Sequence, residues 1–566
     1  MTAILRRQTR LFESRLRFIP SQTVAFGLLA LWAVLVSGQT GPGREHDEGI
    51  PVTEPVVITT CGTCHPRDAQ GNMQRISWTR ATPEGWGDAI KQMILRHDLS
   101  ISPPEARSIV KYLGDTHGLA PEEAAPVMYE AERRIHEETG IPSESLRETC
   151  AKCHTFARAL SWHRSAEEWK QFADTHAARY NIRSTGEAVA FLAKTAGLRT
   201  PAWETWSSHK FSNRTLAGRW FVSASMTGHG NYYGELRMDR DSDDEYTTQV
   251  TLISARDGSR IVRAGHTTVF GGTAWRGRSK GGGNAATAPD DVTSEAREVL
   301  LIAPNQSAAE GRWFWGQYQE FGLDVKLQRA PTEPTLASVD RLSLKAGLRA
   351  ARVRLTGVNF PARIAPSDLV FGSGVTVRRI VSNSPGEIVA ELDVNADAVL
   401  GRRDVVFRGS SLPGAVAIYD RIDYLKVNPD STVAAFGDRT HVKGYQQFEA
   451  IGYQRGPDGR AHTADDLPLG PVDVSWAVQV FHAAPGSYSD AVGTMSALGL
   501  FTPTDSSPKT NLDVWVIATA DDDKDRNGAP LVGKSYMVVT VPTYTFNGRQ
   551  YVRDLNRWVD DGPARP

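Results

Sequence analysis

The sequence predicts a multidomain protein, all-α near its amino end and all-β thereafter. Three observations lead there. Cys61-Gly62-Thr63-Cys64-His65 and Cys150-Ala151-Lys152-Cys153-His154 are two copies of one motif, and together they use all four cysteines. A helical apolar pattern accompanies each copy between about Val52 and Pro201, after which the period changes to alternation. The 50 glycines and 31 prolines, with many short Val/Thr/Tyr runs, mark turn-rich β structure over the remainder.

In a C-x-x-C-H motif two thiols can form thioethers to the vinyl groups of a haem, and the adjacent imidazole is placed to ligate the iron. Two copies imply two covalently bound haem c groups, attached through Cys61, Cys64, Cys150 and Cys153, with His65 and His154 on the irons. Other chemistries fit less well. Zinc ribbons place their C-x-x-C pairs roughly 15–20 residues apart, whereas here the second pair begins 89 positions after the first. A thioredoxin-like pair leaves both histidines unexplained, and a disulfide across two intervening residues is strained. The fold class is therefore an N-terminal all-α dihaem cytochrome c domain followed by all-β domains, comprising one antiparallel barrel and two immunoglobulin-like sandwiches.

At 566 residues the chain exceeds one core and suggests three to five domains. A formal charge of −1 gives no global steering towards nucleic acid or anionic lipid, so partners must be recognised through local patches. The amino terminus reads as an export signal. Arg6, Arg7, Arg10, Arg15 and Arg17 precede the apolar run Val24 to Val36, whose 13 residues are short for a membrane span of about 20. Cleavage is expected near Ser37 to Thr40, with a retained anchor as the alternative. Export to the periplasm suits attached haem, and the absence of spare cysteines leaves no disulfide for the later domains.

Residues 1–50 are read as signal and linker, and residues 51–205 as the dihaem domain. That domain is duplicated. Ser77-Trp78-Thr79-Arg80, Glu84-Gly85-Trp86 and Ile109 to Leu113 follow the first motif; Ser161-Trp162-His163-Arg164, Glu168-Trp169 and Ala188 to Leu192 follow the second. Seven positions after Trp86 lies Met93, and seven after Trp169 lies His176, each on a helix that opens with acidic residues. Thioether sulfur and imidazole are common sixth ligands of c-type haem, which suggests His65/Met93 on the first iron and His154/His176 on the second. Met93 could instead fill a core gap, with His97 and His117 as competitors at the first iron and His163 at the second. Met73 is too near His65 in sequence to cross to the opposite haem face. A methionine ligand raises the potential relative to bis-histidine, so the two irons would differ and transfer would have a direction. Trp78, Trp86, Trp162 and Trp169 read as core.

Residues 206–330 form the expected barrel. Tyr246, Thr248, Val250 and Leu252 alternate with Thr247, Gln249 and Thr251 as a half-buried strand. Gly277 to Asn284 lacks phosphate-loop spacing and reads as a flexible surface loop. Short strands recur over 331–427, where Arg354 to Phe360 resembles the opening of an immunoglobulin-like module, and a second sandwich with a tail fills 428–566. Asp523 to Gly528 matches half of a calcium loop, but Lys534 replaces the closing glutamate, so a hairpin turn is expected. None of the β domains carries a Gly-x-Ser-x-Gly, His-Glu-x-x-His or nucleotide fingerprint.

The order of parts resembles the dihaem alpha subunit of quinohemoprotein amine dehydrogenases, most specifically at Thr82-Pro83-Glu84-Gly85-Trp86, at His117-Gly118-Leu119-Ala120-Pro121 and over Gly456 to Pro468. The resemblance runs from about Cys61 to Val541. It implies a periplasmic heterotrimer that oxidatively deaminates primary amines to aldehydes. In that family cysteine tryptophylquinone belongs to a small gamma subunit, a propeller-like beta subunit completes the complex, and electrons leave to a blue copper protein or cytochrome c. No catalytic residue is expected on this chain. A free-standing dihaem carrier serving another dehydrogenase is the alternative, and an exported β-sandwich adhesion protein with a metal-bound amino-terminal cap is the non-redox one.

Overall fold

The computed structural model describes residues 48–560, apart from 133–139, 152, 183–184, 210, 212–215, 283–287, 317–319, 438–441, 484–490, 506–509, 526–527, 542–548 and 553–556. The expected signal segment and the end of the carboxy-terminal tail lie outside the described residues, as does Lys152. Among the described residues no helix is long and apolar enough to cross a membrane.

The helical region contains α1 (Pro55–Cys61), α2 (Pro83–His97), α3 (Pro103–Thr116), α4 (Pro121–Ala124), α5 (Glu144–Leu146), α6 (Phe156–Leu160), α7 (Ala166–Tyr180), α8 (Gly186–Thr195) and α9 (Pro201–Ser208). Duplication is visible in the caps. The Thr82 hydroxyl accepts from Gly85 N at the start of α2, and the Ser165 hydroxyl accepts from Glu168 N at the start of α7. Both helices are 15 residues long and end on a left-handed residue, Asp98 (φ 52°) or Asn181 (φ 54°), side chains that tolerate that conformation. Trp86 Nε1 donates to His117 O at 3.1 Å, and Trp169 Nε1 donates to Ala196 O at 2.8 Å. Each indole thus ties its helix to the end of a later one, while its ring is buried.

One expectation needs correcting. The duplicated Ser-Trp-x-Arg segments, read as part of a helical pattern, are strands: β1 (Thr79–Ala81) and β2 (Trp162–Arg164) pair antiparallel with Thr79 opposite Arg164 and Arg80 opposite His163. The third position of each copy therefore meets the fourth of the other, reciprocally, around a local pseudo-twofold axis. Three residues are too few to show alternation, and pairing with the sister copy supplies the hydrogen bonds that a short strand cannot make alone.

The barrel strands are β3 (Gly218–Met226), β4 (Gly230–Arg240), β5 (Glu245–Ser254), β6 (Arg260–Phe270), β7 (Ala274–Gly281), β8 (Ala296–Ile302), β9 (Ala308–Trp315) and β10 (Phe321–Arg329), which closes against β3. Closure removes both sheet edges. Tyr246, Thr248, Val250 and Leu252 point inward as their alternation predicts, and Trp220, Trp275 and Trp313 fill the interior. The Gly-rich stretch is a second correction: Gly277 to Lys280 belongs to β7, whereas Gly283 and Asn284 lie outside the described residues. A Cβ on Gly277 would stand 2.6 Å from Glu298 Oε2, so glycine here makes room for a buried carboxyl rather than breaking a strand.

The barrel also holds the helical region in place. Lys111 of α3 pairs with Asp115 and, at 2.7 Å, with Asp244; Asp115 Oδ1 accepts from Gly271 N; Arg276 pairs with Glu84. A Cβ on Gly114 would lie 2.7 Å from Phe270, which lets α3 rest directly on the β6–β7 turn.

Beyond the barrel, two four-stranded sheets share one core. One runs Thr335–Val339, Ala351–Val358, Glu387–Val394, Val375–Ser384; the other runs Ser343–Lys345, Ser410–Tyr419, Gly401–Phe407, Leu369–Val370. Val353, Leu355 and Ile388 from the first meet Phe407, Val416 and Ile418 from the second. The last region differs, with one four-stranded and two three-stranded sheets around a core that includes Phe436, Phe448, Val514, Val516 and Met537, and with Ser431–Ala435 parallel to Pro530–Thr540. Asp525 turns the chain between Leu512–Lys524 and Pro530–Thr540 by accepting from Ala529 N; Arg526 and Asn527 lie outside the described residues.

Candidate haem sites

In the first unit α1 delivers Cys61 at its last position, and the chain turns so that His65 N donates to Cys61 O at 2.9 Å. Cys61 is half-buried and Cys64 exposed, and all four thiols of the chain are free. His65 Nδ1 lies 3.0 Å from Gln74 O. A carbonyl can only accept, so Nδ1 carries the proton and Nε2 keeps its lone pair, the arrangement that orients a metal-binding imidazole. Burial, then the nearby Arg75 and His97 charges, hold its pKa below the ordinary value despite the carbonyl bond. The neutral ring is the form that ligates.

The His97 charge felt at His65 places the carboxy-terminal end of α2 near the motif. Met93 sits there, half-buried and outside the unit's apolar core, with Ile94 and Leu95 of the same turns exposed. Met73, by contrast, is fully buried in that core. His117 is fully buried with both nitrogens engaged, Nδ1 at 2.8 Å from Thr116 Oγ1 and Nε2 at 3.2 Å from Ile50 O, so neither is available to iron.

In the second unit α5 runs into a π-helical turn, Arg147–Ala151, that carries Cys150, and Cys153 is exposed. His154 Nδ1 lies 2.9 Å from Thr155 O, again leaving Nε2 free. His176 comes from α7, its ring centroid 6.4 Å from that of His154. Two metal–nitrogen bonds of about 2 Å and two ring radii of about 1 Å come to about 6 Å, the separation two imidazoles would have on one ion. Burial lowers the pKa of His176 to about 4, with His154, Arg179 and Arg158 adding to it, and burial lowers that of His154 as well. Phe172 stacks on His176 at 5.3 Å and Tyr180 packs at 4.6 Å, which fixes the ring.

His163 is buried within a polar network. Its Nδ1 is 3.1 Å from Gly197 O and 3.2 Å from Arg80 Nη2, within a network in which Arg80 and Glu123 form a bidentate pair at 2.7 and 2.9 Å. Arg80 also donates to Gly118 O, Gly197 O and Leu198 O. Among the described residues no three His, Cys, Asp or Glu side chains converge as a metal cluster, so the four cysteines do not form one thiolate set. Residue types and spacing pointed to the cysteines and histidines; they gave no role to Arg80 and Arg164, although the duplicated Ser-Trp-x-Arg segments contain both.

A helical haem-binding domain carried on an all-β scaffold is the class that this fold and these residues define. Family models match four consecutive stretches, described as quinohemoprotein amine dehydrogenase A, alpha subunit, haem binding (52–190), and as alpha-subunit domains II (213–330), III (333–420) and IV (425–550). The chain belongs to the quinohemoprotein amine dehydrogenase alpha-subunit family. A search of curated proteins returns no match. Among solved structures, a redesigned β-barrel bound to DFHBI is 15% identical and covers 21% of this chain and 100% of its own (TM-score 0.18). The Drosophila OTK extracellular domains 3–5 are 9% identical and cover 59% and 89% (TM-score 0.14). Likenesses this weak add nothing to the assignment.

Proposed function

We propose that this chain is the dihaem electron-transfer subunit of a periplasmic amine dehydrogenase, receiving electrons from a quinone on a partner subunit as primary amines are deaminated and passing them to a soluble redox protein. The observation that carries the reading is the His154–His176 pair, ring centroids 6.4 Å apart with Nδ1 of His154 tied back to a carbonyl, inside a region that matches a haem-binding family model. A haem at each motif supplies a one-electron couple. Cys61, Cys64, Cys150 and Cys153 would hold the two groups through thioethers, and His65 and His154, with Met93 and His176 from equivalent places on α2 and α7, would supply nitrogen and sulfur ligands to the irons. The quinone, cysteine tryptophylquinone, resides on a small gamma subunit, a propeller-like beta subunit completes the heterotrimer, and a blue copper protein or cytochrome c takes the electrons.

The two carboxy-terminal regions are immunoglobulin-like sandwiches in this reading. The two four-stranded sheets packed around one core over residues 335–419 support it for the first of them. Purification from the native host followed by mass analysis of bound chains tests the complex. Two companions, one carrying a modified tryptophan, together with amine-dependent reduction of the haem bands, are expected. Isolation of this chain alone with two haems and no response to amines would favour the free-standing carrier.

A further inference from the structure

Arg80 and Arg164 are the same residue of the duplicated unit, and the structure treats them oppositely. Arg80 is fully buried and satisfied by the Glu123 carboxylate and three carbonyls. Arg164 donates from Nη1 to Thr79 Oγ1 at 3.0 Å, and its buried Nε has no acceptor. The guanidinium is nonetheless held firmly, lying 4.6 Å from the ring centre of Trp162, 5.4 Å from Trp169 and 4.9 Å from Phe172. Burial pushes its pKa down to about 10, which leaves it charged at neutral pH.

A cavity of about 190 Å³ opens beside it, lined by Arg75, Arg164, Glu168, Phe172 and Thr175. A water-sized group takes about 30 Å³, so there is room for a carboxylate. Arg75 sits 3.8 Å from Glu168, so one acidic side chain faces two cations, and it is engaged by the more exposed of them. The cavity also lies between the two haem sites. Arg75 follows Gln74, whose carbonyl holds His65, and Phe172 stacks on His176.

The geometry points to this cavity as the seat of a haem propionate, with Arg164 and Arg75 as its carboxylate-binding residues. The inference rests on the dihaem reading above. A guanidinium fork matches a carboxylate bidentately, and a guanidinium whose buried Nε has no acceptor, sharing one Glu168 carboxylate with Arg75, is the group such a ligand would complete. Cations beside a haem edge favour the reduced state, so these residues would hold one potential up.

Arg164→Gln, Arg164→Lys and Arg75→Gln test it in the assembled protein, by spectroelectrochemical titration and by the propionate bending band in resonance Raman spectra. Expected is a lower potential for one haem in Arg164→Gln, worth at least a tenfold change in its reduced-to-oxidised ratio, or about 59 mV for one electron, with a shifted propionate band and partial rescue by Arg164→Lys. Arg75→Gln, at an exposed position, should move the same haem in the same direction. Whichever haem moves, the methionine-ligated or the bis-histidine one, identifies the source of the carboxylate. Two haems per chain with unmoved potentials and an unmoved propionate band in both glutamine variants would overturn the inference. Absence of haem would instead overturn the dihaem reading.

Discussion

The imidazole rings of His154 and His176 stand 6.4 Å apart at an interplanar angle of 64°, although 22 positions and a helix start separate them in sequence. An α-helix advances 1.5 Å per residue, so the Ser165 cap sets where on α7 the distal ring falls. His176→Ala should turn the second haem high-spin, read as a change in one of two ferric spectra. An unaltered low-spin spectrum would return the position to His163 or another ligand.

Met93 occupies the corresponding place on α2 and is left out of the apolar core that absorbs Met73. Met93→Ala should abolish the sulfur-to-iron charge-transfer band and lower the first haem's potential, at little cost in stability. Retention of the band would assign the sulfur to another methionine, whereas a parent protein without the band would exclude sulfur ligation and bring in His97.

The Arg80–Glu123 pair predicts a large stability effect without a spectral one. Glu123→Ala strands a fully buried guanidinium and should cost about 3–5 kcal/mol in denaturant titrations. A loss under 1 kcal/mol would show that the carbonyls of Gly118, Gly197 and Leu198 already suffice.

Acid should weaken the fold through His117. Burial lowers its pKa to about 4, against about 6.5 in an unfolded chain. Between these values the unfolded state binds more protons, so stability is full above pH 6.5 and falls as the pH drops towards 4, by about 3 kcal/mol from this residue. His117→Gln should flatten that part of the curve. The same slope in variant and parent would assign acid sensitivity elsewhere.

Alternation along Tyr246 to Leu252 and the acidic residues that open the two helices made the barrel and the paired helices readable before any coordinates. Both corrections come from what period alone lacks. Strands of three residues, Thr79–Ala81 and Trp162–Arg164, carry no periodicity, and Gly277 reads as punctuation until Glu298 is seen beside it. The motifs and the seven-residue register gave the candidate ligands. Rejecting His117 required burial and partners at both ring nitrogens, which sequence does not contain, and the unequal fates of Arg80 and Arg164 required the cavity.

Covalent attachment of iron porphyrin at both C-x-x-C-H motifs is the central claim, and a pyridine haemochrome assay on the purified mature chain, paired with its intact mass, tests it most directly. Two haems per chain and a mass raised by two porphyrin groups are expected. Less than one haem per chain, with a mass equal to the amino acids alone after expression in a host able to attach the cofactor, would contradict it.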